Sequence, residues 1–138
     1  MAETTIKWLE KKRFVGIDST QHGFVISSPD PEEGGIGVKP SELLLLALGS
    51  CTGYDVVGIL QKKREKLTGM EVRVTAEQQA DPPWTFTSFH VHYIIRGQDI
   101  SEKAVQDAIE LSEEKYCSVS STLRLGVPVT NDFEIINE

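Results

Sequence analysis

Residues 39–65, KPSELLLLALGSCTGYDVVGILQKKRE, decide the fold of this chain. Ser41 is a suitable N-cap and Glu42 suits a first turn, so the stretch predicts a helix from Pro40 or Ser41 to about Lys66. Its first half is apolar on every side, which is typical of a helix in the centre of a structure. At 1.5 Å per residue this helix is about 35–40 Å long. A single protomer can barely surround a helix of that length.

Short strands and a second helix are predicted on either side of the long helix. Before it, strands are predicted at residues 4–9, 14–18 and 23–27, followed by an irregular loop at 28–40 that is rich in proline and glycine. After it, alternating apolar residues predict strands around 72–76 and 86–95, a helix at about 101–116, a helical turn at 118–123 and a last strand at 127–135. The order strands, long central helix, two strands, helix, strand is an α+β arrangement in one domain, residues 1–138.

Composition and charge exclude several classes of function. The chain has 138 residues, with 14 Lys and Arg against 21 Asp and Glu, a formal net charge of −7. Such an acidic surface disfavours binding to nucleic acid and to anionic membranes. A membrane span needs roughly 18 consecutive apolar residues, and polar residues interrupt every apolar stretch before it reaches that length. The N-terminus lacks an apolar signal segment. We therefore expect a cytoplasmic protein, with no nucleic-acid or membrane partner, whose thiols start reduced.

Cys51 and Cys117 are the two cysteines of the chain. Their wide separation excludes a CxxC motif and makes a four-ligand zinc site improbable. One interpretation is that both are buried as small apolar side chains. The other is that one is a reactive thiolate, which needs a nearby cation such as Arg13. Arg13 and Glu42 are candidates if the fold brings them to the cysteines.

Other polar residues have a less specific pattern. His90 and His92 project to one face of a predicted strand, where a metal-binding pair is one interpretation and a solvated surface the favoured one. Asp55 lies one helical turn after Cys51 and could accept a hydrogen bond near the site, but a structural or interfacial role is favoured because a carboxylate there opposes thiolate formation. No metal and no organic cofactor is expected.

Two separated blocks of sequence resemble one known family. Residues 39–65 resemble the cysteine-bearing central helix of the OsmC/Ohr family, the osmotically inducible and organic hydroperoxide resistance proteins. Residues 111–123, LSEEKYCSVSSTL, are similar to the segment that carries the second cysteine of that family. The WLEKKRFVG stretch at residues 8–16 and the closing strand also agree in order. The sequence departs from the Ohr branch at Ser41. That branch has a glutamate directly after the proline that corresponds to Pro40, whereas here the glutamate is one position later, at Glu42.

The resemblance implies an intertwined α+β homodimer with both long helices at its centre. It also implies that Cys51 is a peroxidatic nucleophile, Cys117 the resolving thiol, Arg13 the arginine that holds the thiolate and Glu42 the glutamate that orients the arginine. The substrate would be an organic hydroperoxide. The reductant would be a dithiol, a lipoylated protein in the Ohr branch.

Three functional hypotheses remain open from the sequence. The first is a cysteine-based peroxidase that reduces organic hydroperoxides. The second is a weakly catalytic or non-catalytic protein that binds a small hydrophobic ligand at the dimer interface, which the Ser41/Glu42 difference favours slightly. The third is a redox switch in which the two cysteines control dimer stability.

Overall fold

The computed structural model describes residues 1–138 as two compact units, Met1–Leu44 and Leu45–Glu138. The first unit is a three-stranded antiparallel sheet of β1 (Thr5–Glu10), β2 (Arg13–Ile17) and β3 (Gly23–Ser27), in that order. The turn between β2 and β3 is held by Asp18, whose carboxylate accepts hydrogen bonds from the backbone N–H groups of Thr20 and His22. The loop that follows contains a 3-10 turn at Pro31–Glu33.

The second unit packs helices against a three-stranded sheet. Helix α1 (Leu43–Lys62) is followed by β4 (Lys66–Gln78), β5 (Phe86–Gln98), α2 (Glu102–Leu111) and α3 (Ser118–Leu123), and the chain closes with β6 (Val129–Asn137). A π-helical turn, Ser112–Tyr116, joins α2 to the residue before α3. Strand β5 lies in the centre, antiparallel to β4 and parallel to β6. These elements confirm the α+β class and the order of elements that the sequence predicts.

The core of the second unit follows the two periodicities of the sequence. Along β5 alternate residues are buried, namely Phe89, Val91, Tyr93 and Ile95. Along α1 the buried residues recur every fourth position, namely Leu48, Thr52, Val56 and Leu60. Small residues let the helix lie close to β4: a Cβ on Gly49 would stand 2.8 Å from Val74 Cγ2. Strand β4 therefore approaches α1 closely at Gly49.

Two predicted boundaries are wrong. The long helix ends at Lys62 rather than about Lys66, because Arg64 adopts a left-handed conformation (φ 59°) that no helix continues through. Lys66 instead begins β4, which is 13 residues long and far exceeds the predicted strand at 72–76. The stretch before Val72 is polar and contains a glycine, so its local strand propensity is low. It forms a strand because it pairs with β5.

Helix α1 and the short turn before it, Pro40–Lys62, are long and apolar enough to cross a bilayer by length and composition alone. The sequence suggests that the polar residues of this helix exclude a membrane span. They are not enough to exclude one by themselves. A single helix of this kind is weak evidence for a membrane protein, because the core helix of a folded domain has the same composition. Within the protomer 33% of its most apolar window is buried, which leaves one face of the helix uncovered.

Candidate functional site

Cys51 and Cys117 meet in the second unit, although 66 positions separate them in the chain. Cys51 lies in the middle of α1 and Cys117 immediately precedes α3. Their Sγ atoms and a carboxylate oxygen of Asp55 all lie within 4.8 Å of one another. Both cysteines are free thiols. This juxtaposition of two thiols and a carboxylate is the candidate functional site.

The Cys117 thiol is the buried member of the pair. It is 2% exposed, whereas Cys51 is partly exposed. The Cys117 Sγ caps α3 by accepting a hydrogen bond from the Ser120 backbone N–H at 3.3 Å, and the Cys117 N–H donates to the Ser112 carbonyl at 2.8 Å. Burial, with a further contribution from the Cys51 thiol, raises the pKa of Cys117 to about 11. Cys117 is therefore a protonated thiol at neutral pH.

Asp55 is held in the site by a serine from another element. Its position four residues after Cys51 places both side chains on one face of α1. The Ser112 hydroxyl, which is fully buried, donates a 2.8 Å hydrogen bond to Asp55 Oδ2. The hydrogen bond ties α1 to the π-helical turn that leads into Cys117. Asp55 therefore lies in the thiol cluster, and its hydrogen bond to Ser112 is structural.

A second polar cluster anchors the segment that carries Cys117. Glu113 Oε2 forms an ion pair with Arg124 Nη2 at 2.8 Å and accepts a hydrogen bond from Asn131 Nδ2 at 2.7 Å. Arg124 Nε also donates to the Ser120 hydroxyl at 3.0 Å. Burial raises the pKa of Glu113, and the Arg124 cation opposes that rise. We call Glu113, Arg124 and Asn131 the Glu113 cluster; it connects the π-helical turn, the end of α3 and β6.

Two buried polar atoms near these clusters have no hydrogen-bond partner, the Tyr93 hydroxyl and Glu113 Oε1. The Thr52 hydroxyl lies beside Tyr93 but donates to the Leu48 carbonyl at 3.0 Å. Burial raises the pKa of Tyr93 to about 12, and the negative charges of the two clusters add to this rise. Tyr93 is therefore a neutral phenol at neutral pH.

Arg13 and Glu42 belong to the first unit, and each has another partner there. The Arg13 guanidinium pairs with Glu10 at 2.7 Å and donates to the Gly34 carbonyl at 3.3 Å. Glu42 pairs with Lys39 at 3.1 Å. The Arg13–Glu42 pair that the family resemblance implies is thus not formed within this protomer. The roles of Arg13 and Glu42 stay predictions.

His90 and His92 lie on the outward face of β5, as their positions predict. Both rings contact Asp132 Oδ1, His90 Nε2 at 2.9 Å and His92 Nδ1 at 2.7 Å. These hydrogen bonds lower the pKa of Asp132. The two histidines are accounted for by this surface hydrogen-bonded group across β5 and β6.

Sequence reasoning missed Ser112 and the Glu113 cluster. A serine or a glutamate in an acidic helix is ordinary in a sequence, and its partners lie on other elements. The one usable signal was position, since Ser112 and Glu113 lie five and four residues before Cys117.

The donor set of Cys51, Asp55 and Cys117 is also the one group in the chain whose atoms are close enough to bind a metal ion together.

Comparisons with known proteins agree with the fold. A model of the OsmC family, described as OsmC-like protein, matches residues 30–132. Protein YhfA of Escherichia coli K12 is 36% identical over 134 residues, which are 97% of this chain and 98% of YhfA. A hypothetical protein from Aquifex aeolicus VF5 superposes with a TM-score of 0.87 at 26% identity, over 100% of this chain and 98% of that one. The organic hydroperoxide resistance protein OhrB of Bacillus subtilis has a TM-score of 0.64 at 17% identity, over 97% and 98%, and supports the fold alone.

Proposed function

This chain belongs to the OsmC-like family, and from that premise we propose that it is a thiol-dependent peroxidase that reduces organic hydroperoxides. Cys51 is the peroxidatic cysteine and Cys117 the resolving cysteine. The observation that carries the proposal is the placement of their two sulfur atoms within 4.8 Å of each other. A disulfide bond is about 2.05 Å long, so forming one here requires the two sulfur atoms to approach by about 3 Å or less.

The difference in exposure supports this assignment of the two roles. A hydroperoxide has to reach the nucleophile, and Cys51 is the partly exposed thiol. Cys117 is buried and protonated at neutral pH, so it is a poor first nucleophile but needs to reach only its neighbour. The apolar residues of α1 around Cys51 favour an alkyl or aryl hydroperoxide over hydrogen peroxide.

The reaction proceeds in two steps and a reset. The Cys51 thiolate attacks the terminal oxygen of the hydroperoxide, the O–O bond breaks, and the departing alkoxide takes a proton and leaves as an alcohol. Cys51 is then a sulfenic acid. The Cys117 sulfur attacks the Cys51 sulfur, the S–O bond breaks, and hydroxide leaves with the thiol proton as water. An external dithiol, such as a lipoylated protein, returns two electrons and two protons to restore both thiols.

We further propose that the active form is a homodimer in which α1 packs against a second copy of the chain. Leu46, Ser50 and Tyr54 recur every fourth residue on the face of α1 that the protomer leaves uncovered, and Tyr54 is 82% exposed. The exposed apolar side chains of this face, Leu46 and Tyr54, favour a protein interface over water. In such a dimer Arg13 and Glu42 are the residues for which we propose the thiolate-holding and orienting roles.

Consumption of cumene hydroperoxide by the reduced protein with excess dithiothreitol tests the peroxidase. Wild type should turn over, Cys51→Ser should lose turnover, and Cys117→Ser should stop at sulfenic or over-oxidised Cys51, identified by mass spectrometry. Ser118→Ala, at the exposed neighbour of Cys117, is the matched control and should behave as wild type. Equal, slow oxidation of wild type and both cysteine variants would refute the mechanism.

Light scattering of Tyr54→Lys tests the dimer. The charge should separate the copies, whereas Leu125→Lys, a matched replacement of another exposed apolar residue, should remain dimeric. A Tyr54→Lys protein that stays dimeric would refute an interface along α1.

A further inference from the structure

We propose that the reduced protein binds one thiophilic divalent cation of the zinc class per protomer, through Cys51, Asp55 and Cys117. The inference concerns the same side chains as the proposed peroxidase but does not depend on it. A metal ion needs only two thiols and a carboxylate in the right arrangement, whether or not a hydroperoxide ever reacts there.

The spacing of the three donor atoms suits a tetrahedral ion. With Zn–S bonds of about 2.3 Å and Zn–O bonds of about 2.0–2.2 Å, neighbouring ligand atoms in a tetrahedral site lie roughly 3.5–3.8 Å apart. The three atoms here already lie within 4.8 Å of one another. Closing the site therefore requires shifts of about 1 Å or less, which side-chain rotations supply.

Two structural elements fix the donors before any ion arrives. Cys51 and Asp55 are one turn apart on α1, and Cys117 is held at the start of α3 by its bond to Ser120 N–H. Ser112 donates to Asp55 Oδ2 and so orients the carboxylate. Such an outer partner is typical of metal ligands, which are oriented by a hydrogen bond to the atom that does not face the metal.

Charge gives a second reason for a cation. Cys51, Asp55 and Cys117 can all serve as anionic ligands, and in their ionised forms they together stabilise a divalent cation. Thiolate donors select zinc-class ions over magnesium or calcium, which prefer oxygen.

The site would keep an open position. Three protein ligands leave a fourth place for water, and Cys51 and Asp55 are partly exposed whereas Cys117 is buried. Because the ion and the disulfide use the same two sulfur atoms, they exclude each other. Bound metal should protect Cys51 from oxidation, and formation of the disulfide should release the metal.

Cobalt(II) titration of tag-free protein, stripped with chelator and reduced with a phosphine, tests the inference. Wild type should bind one equivalent per protomer, with a sulfur-to-cobalt charge-transfer band and the strong visible bands of tetrahedral cobalt, and zinc should displace the cobalt. Cys51→Ser and Cys117→Ser should each lose this binding. Asp55→Asn should bind at least about tenfold more weakly, and Ser112→Ala about 10–100-fold more weakly.

Asp132→Asn is the matched control, because it removes a carboxylate from the surface His90–His92 group and leaves the thiol cluster intact. It should bind cobalt as wild type does. Disulfide-oxidised wild type provides a control with no substitution, and should bind only after reduction. Circular dichroism of each variant checks that it is folded.

Absence of the charge-transfer band in reduced wild type would overturn the inference, as would unchanged affinity in a folded Asp55→Asn protein or lost affinity in Asp132→Asn. Peroxidase assays run in the presence of chelator keep the two proposals separate. Turnover without cobalt binding overturns the metal site alone, and cobalt binding without turnover overturns the peroxidase alone.

Discussion

Replacement of Arg124 by methionine should destabilise the protein, because it leaves the Glu113 carboxylate buried without its cation. The Glu113 side chain is 9% exposed and the Arg124 side chain 38% exposed, and the two are joined at 2.8 Å. Methionine keeps much of the aliphatic length of arginine, so the change removes charge and hydrogen bonds more than packing.

The magnitude follows from this partial burial. Removing one partner of a fully buried ion pair costs about 3–5 kcal/mol. Here Asn131 still donates to Glu113 Oε2, and Arg124 is exposed enough for water to replace part of what it provides. We therefore expect a loss of about 2 kcal/mol, which for a domain of this size lowers the midpoint of thermal unfolding by roughly 8 °C.

The effect should depend on pH with a defined sign. Burial raises the pKa of Glu113 in the folded protein, and loss of the Arg124 cation should raise it further. A raised folded pKa contributes stability that is present at low pH and lost as the pH rises through that pKa. The difference between Arg124→Met and wild type should therefore be large at neutral pH and shrink in acid, where the neutral carboxyl needs no cation.

Urea unfolding at fixed protein concentration measures these free energies, with Glu113→Gln and the Glu113→Gln/Arg124→Met double variant completing the cycle. The double variant should be more stable than Arg124→Met alone. The reasoning is refuted if Arg124→Met unfolds within about 0.5 kcal/mol of wild type, or if the double variant regains nothing. Slower disulfide formation in Arg124→Met would accompany the destabilisation, since the Glu113 cluster anchors the segment before Cys117.

Two glycines of α1 and the two thiols give further predictions. Gly49→Ala should lower the thermal midpoint, because its Cβ would stand 2.8 Å from Val74 Cγ2 and crowding of about 1–3 kcal/mol exceeds a helix-propensity gain of about 1 kcal/mol. Gly58→Ala meets no atom within 4 Å in the protomer and should raise the midpoint; a fall would place the second copy against Gly58. Iodoacetamide should label Cys51 before Cys117 at neutral pH, because Cys117 is 2% exposed with a pKa of about 11. Labelling of Cys117, followed by peptide mass spectrometry, should rise about tenfold per pH unit up to that pKa, and equal labelling of both thiols at neutral pH would contradict this.

The sequence predicts most of the fold because its strongest signals are local. The apolar run of α1, the alternation along β5 and the proline- and glycine-rich loop each determine an element within a few residues of its place. Strand β4 was predicted too short, because residues 66–71 become a strand only through pairing with β5. The parallel pairing of β6 with β5 is likewise a property of the assembled sheet and has no local signature.

The candidate site was only partly predictable for the same reason. The spacing of Cys51 and Asp55 on one helix face is visible in the sequence, but the approach of Cys117 was implied only by the family resemblance. Ser112 has no signal of its own, since its role depends on a partner 57 positions away. A residue that positions another side chain is identified by its contacts. A single sequence does not show contacts between elements that are distant in the chain.

Asp55 brings the two proposals for the cluster into one physical argument. A reactive Cys51 requires a positive charge that stabilises its thiolate, yet the charged group that lies within 4.8 Å of both sulfur atoms is the Asp55 carboxylate. No cation is among the causes of the raised pKa of Cys117, the other thiol of the cluster. That charge must come from a guanidinium, for which Arg13 is the predicted source, or from a bound cation. If the guanidinium supplies the charge, the thiolate stays free to attack a hydroperoxide. If a bound cation supplies it, the thiolate is coordinated and protected. Beside the Asp55 carboxylate, the chemistry of Cys51 therefore depends on which positive charge is present.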